Sequence, residues 1–189
     1  MTRGSQSIAA RIGPWSRTRT VQMHLAPLAV GVLAGVLAAQ VRLHLGMPGH
    51  KALFWMVPVL GARLICRSRL GTTLGAAGAS GASMLLGGNL AGGPTMAFLV
   101  VLAGGLLDAA AAWGERLRLP AWLLVPLLGL AGLAANLLCM VKRLFSPSYE
   151  PHVVLGLTGL AAVIMSYALF GLIGGLGGAL IGCLIRKKS

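Results

Sequence analysis

The sequence predicts an all-α integral membrane protein: a bundle of six transmembrane helices joined by short loops, with both termini cytoplasmic. Three observations carry the prediction. The 189 residues are 57% hydrophobic and only 10% charged, which leaves too little polar surface to coat a water-soluble domain. The apolar residues gather into six runs, at about 21–41, 52–66, 71–88, 95–113, 121–141 and 153–185. The 16 Lys and Arg, set against 3 Asp and Glu, fall between those runs and unevenly. With six crossings, twelve lie on the side of the termini, counting Arg63 at a helix end, and four (Arg42, Lys51, Lys142 and Arg143) on the other. Cations favour the cytoplasmic side, so the asymmetry sets the orientation, and five or seven crossings would scramble it. The membrane in question is the cell inner membrane.

Each element follows from its own residues. Residues 1–20 carry Arg3, Arg11, Arg17 and Arg19 and no acid. Such segments also occur as transit peptides. The apolar run that follows lacks a small-x-small cleavage site and reads as retained, so this segment reads as a basic cytoplasmic tail. Residues 21–185 form the transmembrane domain. A helix needs about 20 apolar residues to cross the hydrocarbon. The second run is shorter and must stand near the membrane normal or have snorkelling ends. The sixth is too long for a plain crossing and must tilt or begin in the outer interface. Barrel strands would alternate polar and apolar residues, and these runs do not. Residues 186–189, with Arg186, Lys187 and Lys188, form a basic cytoplasmic end. The loops are too short for a soluble domain, and no repeat stands out, although two halves of three crossings are conceivable.

The basic excess in a soluble chain would point to nucleic acid. Here its position between apolar runs assigns it to orientation and to anionic headgroups of the lipid bilayer, and no nucleic-acid partner is expected. Cys66, Cys139 and Cys183 have neither metal-ligand spacing nor a CxxC pair; each lies near the end of an apolar run and reads as a small hydrophobe, with no disulfide expected. There is no phosphate loop, no HExxH and no GxSxG. His44, His50 and His152 have no helical spacing behind them. No catalytic residue, metal or cofactor is assigned, and the chain is not expected to be an enzyme.

Small residues recur every fourth position in three runs: Gly31, Gly35 and Ala39, with Ala34 and Ala38 beside them, in the first; Gly71, Gly75, Ala79 and Ser83 in the third; Gly174, Gly178 and Gly182 in the sixth. Such stripes let helix backbones approach closely in lipid. They serve packing within the bundle or docking of another membrane subunit. For docking, the face of Gly31, Ala34, Gly35 and Ala38 is the best candidate. Arg63 and Asp108 are the charges well inside the runs, at similar depth, and an intramembrane ion pair between them is expected. Toward the outer face fall His50, Lys51, Trp55, Asn89, Asn136, Lys142 and Arg143. In "HLGMPGHK", residues 44–51, Met47-Pro48-Gly49 makes a turn, and His50 and Lys51 stand at the start of the second helix. This group is either an interfacial anchor of cations and an aromatic ring or the wall of an outward-facing pocket. A pocket so rich in cations suits a carboxylate or phosphate. Asn136 either bonds a neighbouring helix or faces the ligand.

Two stretches carry a family resemblance. "APLAVGVLAGVLAA" in the first helix resembles the small-residue face by which substrate-binding S components of energy-coupling-factor (ECF) transporters meet their transmembrane T component. "MPGHKALFWMVPVLGARLICRSRLGTTLGAAGASGA" resembles that family's loop, short second helix and small-rich third helix. The likeness covers most of the chain and is one of pattern. It departs from the metal-transporting members, whose Met-His stands at the mature N-terminus, whereas "MHLA" here lies at 23–26. The resemblance implies uptake of a small vitamin-like nutrient, energised by a T subunit and two cytoplasmic ATPases, with the outer residues holding the substrate. The residues alone leave two other readings open: a small membrane scaffold or assembly protein, and a stand-alone transporter or channel without ATPase partners.

Overall fold

The six apolar runs become six α-helices: α1 (Pro14–Gln40), α2 (Ala52–Cys66), α3 (Gly71–Leu85), α4 (Pro94–Arg116), α5 (Ala121–Leu144) and α6 (Gly159–Lys188). They are seen in a computed structural model that describes residues 14–40, 48–87, 93–144, 153–154 and 157–188. Four of them (α1 over Val21–Gln40, α4, α5 over Ala121–Val141 and α6) are long and apolar enough to cross a membrane, which makes the chain a multi-pass membrane protein. α2 and α3 have 15 residues each. At about 1.5 Å per residue they fall short of a hydrocarbon core about 30 Å thick.

Three departures of the helix boundaries from the apolar runs are informative. α1 begins at Pro14, inside the segment expected to be a basic tail. An apolar run marks what lipid covers, whereas a helix continues until a breaker stops it, and Pro14 suits a first turn. The sixth run does not begin as helix. Val153–Val154 and Leu157–Thr158 pair as a two-residue antiparallel ribbon, and α6 follows from Gly159, which takes φ +65°. This relieves the excess length of that run. At the other end α6 carries on through Arg186 and Lys187, placing cations at a helix C-terminus, where the dipole favours them.

The helices close a ring in the order α1, α3, α4, α5, α6, α2 and back to α1, with α2 also touching α3. Glycine sets the closest contacts. A Cβ on Gly31 would strike the Gly75 backbone, and one on Gly35 the Ala79 backbone. α1 and α3 therefore run parallel, in register at four-residue steps. α2 and α6 do the same: Met56, Leu60 and Leu64 fill the grooves over Gly174, Gly178 and Gly182. A second stripe on α6, Gly171 and Gly175, meets Gly132 and Leu128 of antiparallel α5. α6 is thus held on two faces by contacts that any side chain would block.

This geometry corrects the docking expectation. Gly31, Ala34, Gly35 and Ala38 are all buried within the bundle, and the stripe is spent on α3. What α1 turns outward is Leu25, Val32, Leu33 and Leu37, large apolar side chains suited to lipid.

Candidate functional site

Two polar clusters occupy opposite ends of the bundle. The first lies at the end that carries the α2–α3 turn, the α4–α5 turn and the C-terminus of α6, called here the basic end. Arg63, in the last turn of α2, is 1% exposed. Its Nη1 donates to Glu115 Oε1 at 2.6 Å and its Nε lies 3.4 Å from Asp108 Oδ1. Asp108, 4% exposed, spends its carboxylate mainly elsewhere. Oδ1 accepts from the Thr72 backbone N–H at 3.0 Å, and Oδ2 accepts from the Thr73 N–H at 2.8 Å and its hydroxyl at 2.7 Å. α3 has no side-chain cap of its own at Leu70. A carboxylate from α4 takes that place, satisfying two of the orphan amides of the first turn and meeting the positive end of its dipole.

The structure therefore brings Arg63 and Asp108 within ion-pair distance, but it adds the partner that takes most of the guanidinium. Glu115 is half-exposed at the end of α4 and reads in sequence as a surface acid. The signal lies in its spacing: Glu115 stands seven residues, two turns, after Asp108 and so on the same face of α4. The Asp108 cap on α3 left no comparable trace, because it joins elements 35 residues apart. On α1, His24 Nδ1 and Ser68 Oγ lie 2.7 Å apart, tying that helix to the α2–α3 turn.

The second cluster lies at the far end, around the turn that opens α2. Gly49 has φ +85°, a conformation glycine accepts readily, and its carbonyl accepts from the Ala52 N–H at 3.1 Å. A Cβ there would come within 3.0 Å of the Tyr167 ring. Two side chains hold this turn against α5 and α6. Ser166 Oγ donates to Pro48 O at 2.5 Å, and Asn136 Nδ2 donates to Tyr167 O at 2.8 Å and to Gly49 O at 3.4 Å. Asn136 is 4% exposed. It is an interhelical strut whose amide also reaches the turn.

Of the seven outer residues singled out in the sequence, His50, Lys51 and Asn136 gather at this end. His50 meets Phe170 edge-on, with ring centroids 6.3 Å apart. Lys51 is the N-cap of α2 without a side-chain cap bond, and its partial burial pushes its amine below the ordinary lysine value. Trp55, one turn on, is 2% exposed and belongs to the hydrophobic core. It is neither an interfacial anchor nor an open wall. Lys142 and Arg143 lie in the last turn of α5, beyond Asn136 at the same end, and their side chains are outside the described residues. Asn89 lies outside them altogether. Cys66, Cys139 and Cys183 are free thiols. Among the described residues no three His, Cys, Asp or Glu stand together as a metal site.

Comparison with protein-family models, with curated proteins and with solved structures finds no match for this chain.

Proposed function

We propose that this chain is the membrane-embedded substrate-binding subunit of an uptake transporter, with all six helices crossing the cell inner membrane and both termini in the cytoplasm. The observation that carries the reading is the far-end cluster. A turn bearing His50 and Lys51 is fastened to α5 and α6 by Asn136 and Ser166. Ser and Asn hydrogen bonds join helices in lipid, and here they hold in one place a turn that carries a cation and an imidazole. The cations at that end favour a small nutrient carrying a carboxylate or phosphate. Lys51, Lys142 and Arg143 are its candidate contacts.

Orientation follows from charge. Arg67, Arg69, Arg116, Arg118, Arg186 and Lys187 are all exposed at the basic end, which the positive-inside rule assigns to the cytoplasm. α2 and α3 lie alongside α6 and α1 in parallel register, which supports counting them among the crossings despite their length. The chain holds no phosphate loop, so active uptake draws on a transmembrane T component and cytoplasmic ATPases, as the ECF-like sequence pattern implies. Because the Gly31 stripe is internal, a T component would meet other surfaces, such as the outward leucines of α1. The chain is proposed to be no enzyme.

Native mass spectrometry of the protein extracted from its own host in mild detergent tests the reading. The expected result is a bound small molecule with an acidic group, or a co-purifying membrane subunit with ATPases, with binding weakened in K51M and in K142Q/R143Q. A well-folded chain that carries no ligand and no such partner would refute it. That outcome would favour a rigid membrane scaffold, the reading to which the backbone-to-backbone glycine contacts of α1 on α3 and α5 on α6 lend weight.

A further inference from the structure

The two turns at the basic end repeat a short pattern. The α2–α3 turn reads Arg67-Ser68-Arg69-Leu70, and the α4–α5 turn reads Arg116-Leu117-Arg118-Leu119. In each, one arginine takes the left-handed conformation, Arg67 at φ 54° and Arg118 at φ 53°. All four arginines are exposed. The same two residues fasten both turns and join them. The Arg63 carbonyl accepts from the Ser68 N–H at 3.3 Å, closing the first turn, and the Glu115 carbonyl accepts from the Arg118 N–H at 3.1 Å, within the second. The side chains of Arg63 and Glu115 are the ion pair already described. The two Arg-x-Arg turns are thereby clamped side by side, since one residue from each clasp makes the bond between them.

The acids on these helices are withdrawn from the surface charge. Asp108 caps α3 and Glu115 holds Arg63. Among the described residues, none of the four turn arginines carries a salt bridge. Around them stand exposed apolar side chains: Leu70, Leu117, Trp113 and Trp122, the last 72% exposed. Trp at such a position sits at headgroup depth. An acidic protein segment would need the arginines alone, whereas a lipid needs cations for its phosphate and apolar surface beside them for its chains.

We propose that the two clamped Arg-x-Arg turns form a binding site for an anionic phospholipid headgroup, with a preference for a lipid bearing two phosphates over one bearing a single phosphate. Guanidinium groups bind phosphate oxygens in pairs, and basic clusters between helices at the cytoplasmic surface recognise such headgroups. Two turns with two arginines each, tied together by the Arg63–Glu115 ion pair, offer a pair of guanidinium groups to each of two phosphates. The site is independent of the transport reading.

The test is competition in native mass spectrometry, with the purified chain offered mixtures of cardiolipin, phosphatidylglycerol and phosphatidylcholine. Cardiolipin is expected to be retained at least about tenfold over phosphatidylglycerol, and R67Q/R69Q and R116Q/R118Q each to remove most of that preference. Neither double variant touches a buried contact, and unfolding in lipid-free detergent should match the parent chain. R186Q/K187Q removes the same charge from the same end away from the turns and should leave the preference intact. E115A keeps all four arginines, removes the side chain that ties the two turns together, and should narrow the preference while anionic lipid still binds over phosphatidylcholine. Equal retention of the two anionic lipids by the parent chain, or equal losses in R186Q/K187Q and the turn variants, would overturn the proposal. The arginines would then serve orientation alone or an acidic protein partner.

Discussion

Asparagine in place of Asp108 removes one negative charge and one acceptor from the start of α3 while keeping the side chain's shape. With the side chain in the same place, its single carbonyl oxygen faces only one of the Thr72 and Thr73 amides, which bond different oxygens of the carboxylate. Its NH2 then faces the other amide donor. A buried amide left without its acceptor costs about 1–3 kcal/mol. Loss of the carboxylate from the helix N-terminus adds about 1 kcal/mol, toward 2 where the site is partly buried. Arg63 keeps Glu115, so the larger penalty of an unpaired buried cation is avoided. The sum places D108N about 2–5 kcal/mol below the parent chain. E115Q should cost less, about 0.5–1 kcal/mol, because Glu115 is 38% exposed, its amide replacement still accepts from Arg63, and solvent screens the lost charge. The assay is reversible unfolding of both variants and the double variant in a defined bilayer or micelle, followed by helix content and by hydrogen exchange at 72–75. D108N should raise exchange there selectively. A D108N penalty under about 1 kcal/mol, or one no larger than that of E115Q, would refute the view that Asp108 works chiefly as a cap supplied by a neighbouring helix.

Other consequences follow from the packing and the far-end cluster. G75A should destabilise by about 1–3 kcal/mol by overpacking, since its methyl would press on Val59 and lie 2.9 Å from Pro27 O. G81A on the same helix meets nothing within 4 Å and should be neutral or stabilising by about 0.5–1 kcal/mol; a parallel thermal-unfolding series separates the two. N136L should cost about 0.6–1.7 kcal/mol and free the turn at 49–53, seen as faster amide exchange there and not in α3. Lys51 should acylate with a midpoint below that of an ordinary lysine, because the neutral amine reacts and burial favours it. Its folded value lies under its unfolded one, so charging it opposes folding below both. That cost fades as pH rises from the folded value to the unfolded one and is gone above it, and in K51M this part of the pH dependence should vanish.

The helices were legible because a continuous apolar run is a one-dimensional signal, and α2 matches its run residue for residue. The ribbon before α6 was not, since Val153, Val154 and Leu157 extend the apolar run without marking the change of backbone. Spacing foretold that Gly31, Gly35 and the α6 glycines would permit close approach, and left open against what. A stripe looks the same whether it meets a helix of its own chain or another subunit, and only the fold put α3 there. The ion-pair network was half legible. Arg63 and Asp108 stand out as charges within apolar runs, whereas Glu115, beside Arg116 at a helix end, looks solvated until the i, i+7 relation to Asp108 is weighed. His50 and Lys51 were placed by the Pro-Gly turn before them. Trp55 was misjudged because a ring four residues from that turn suits an interface equally well, and only the neighbours of α2 on three sides bury it.

The ion pair between α2 and α4 has a further consequence for the order of events at the ribosome. Arg63 and Glu115 are 52 residues apart. At roughly 5–20 residues per second, several seconds separate the synthesis of the arginine from that of its partner. α2 is short, interrupted by Pro58, and carries a cation that by itself disfavours burial among apolar chains by about 2.5–3.5 kcal/mol. Through that interval the guanidinium is better kept at the headgroup level, and α2 can settle beside α1 and α3 only when α4 delivers both carboxylates. Nascent chains arrested before residue 115 should therefore hold α2 in a shallow, chemically accessible position, and chains arrested well beyond it should not.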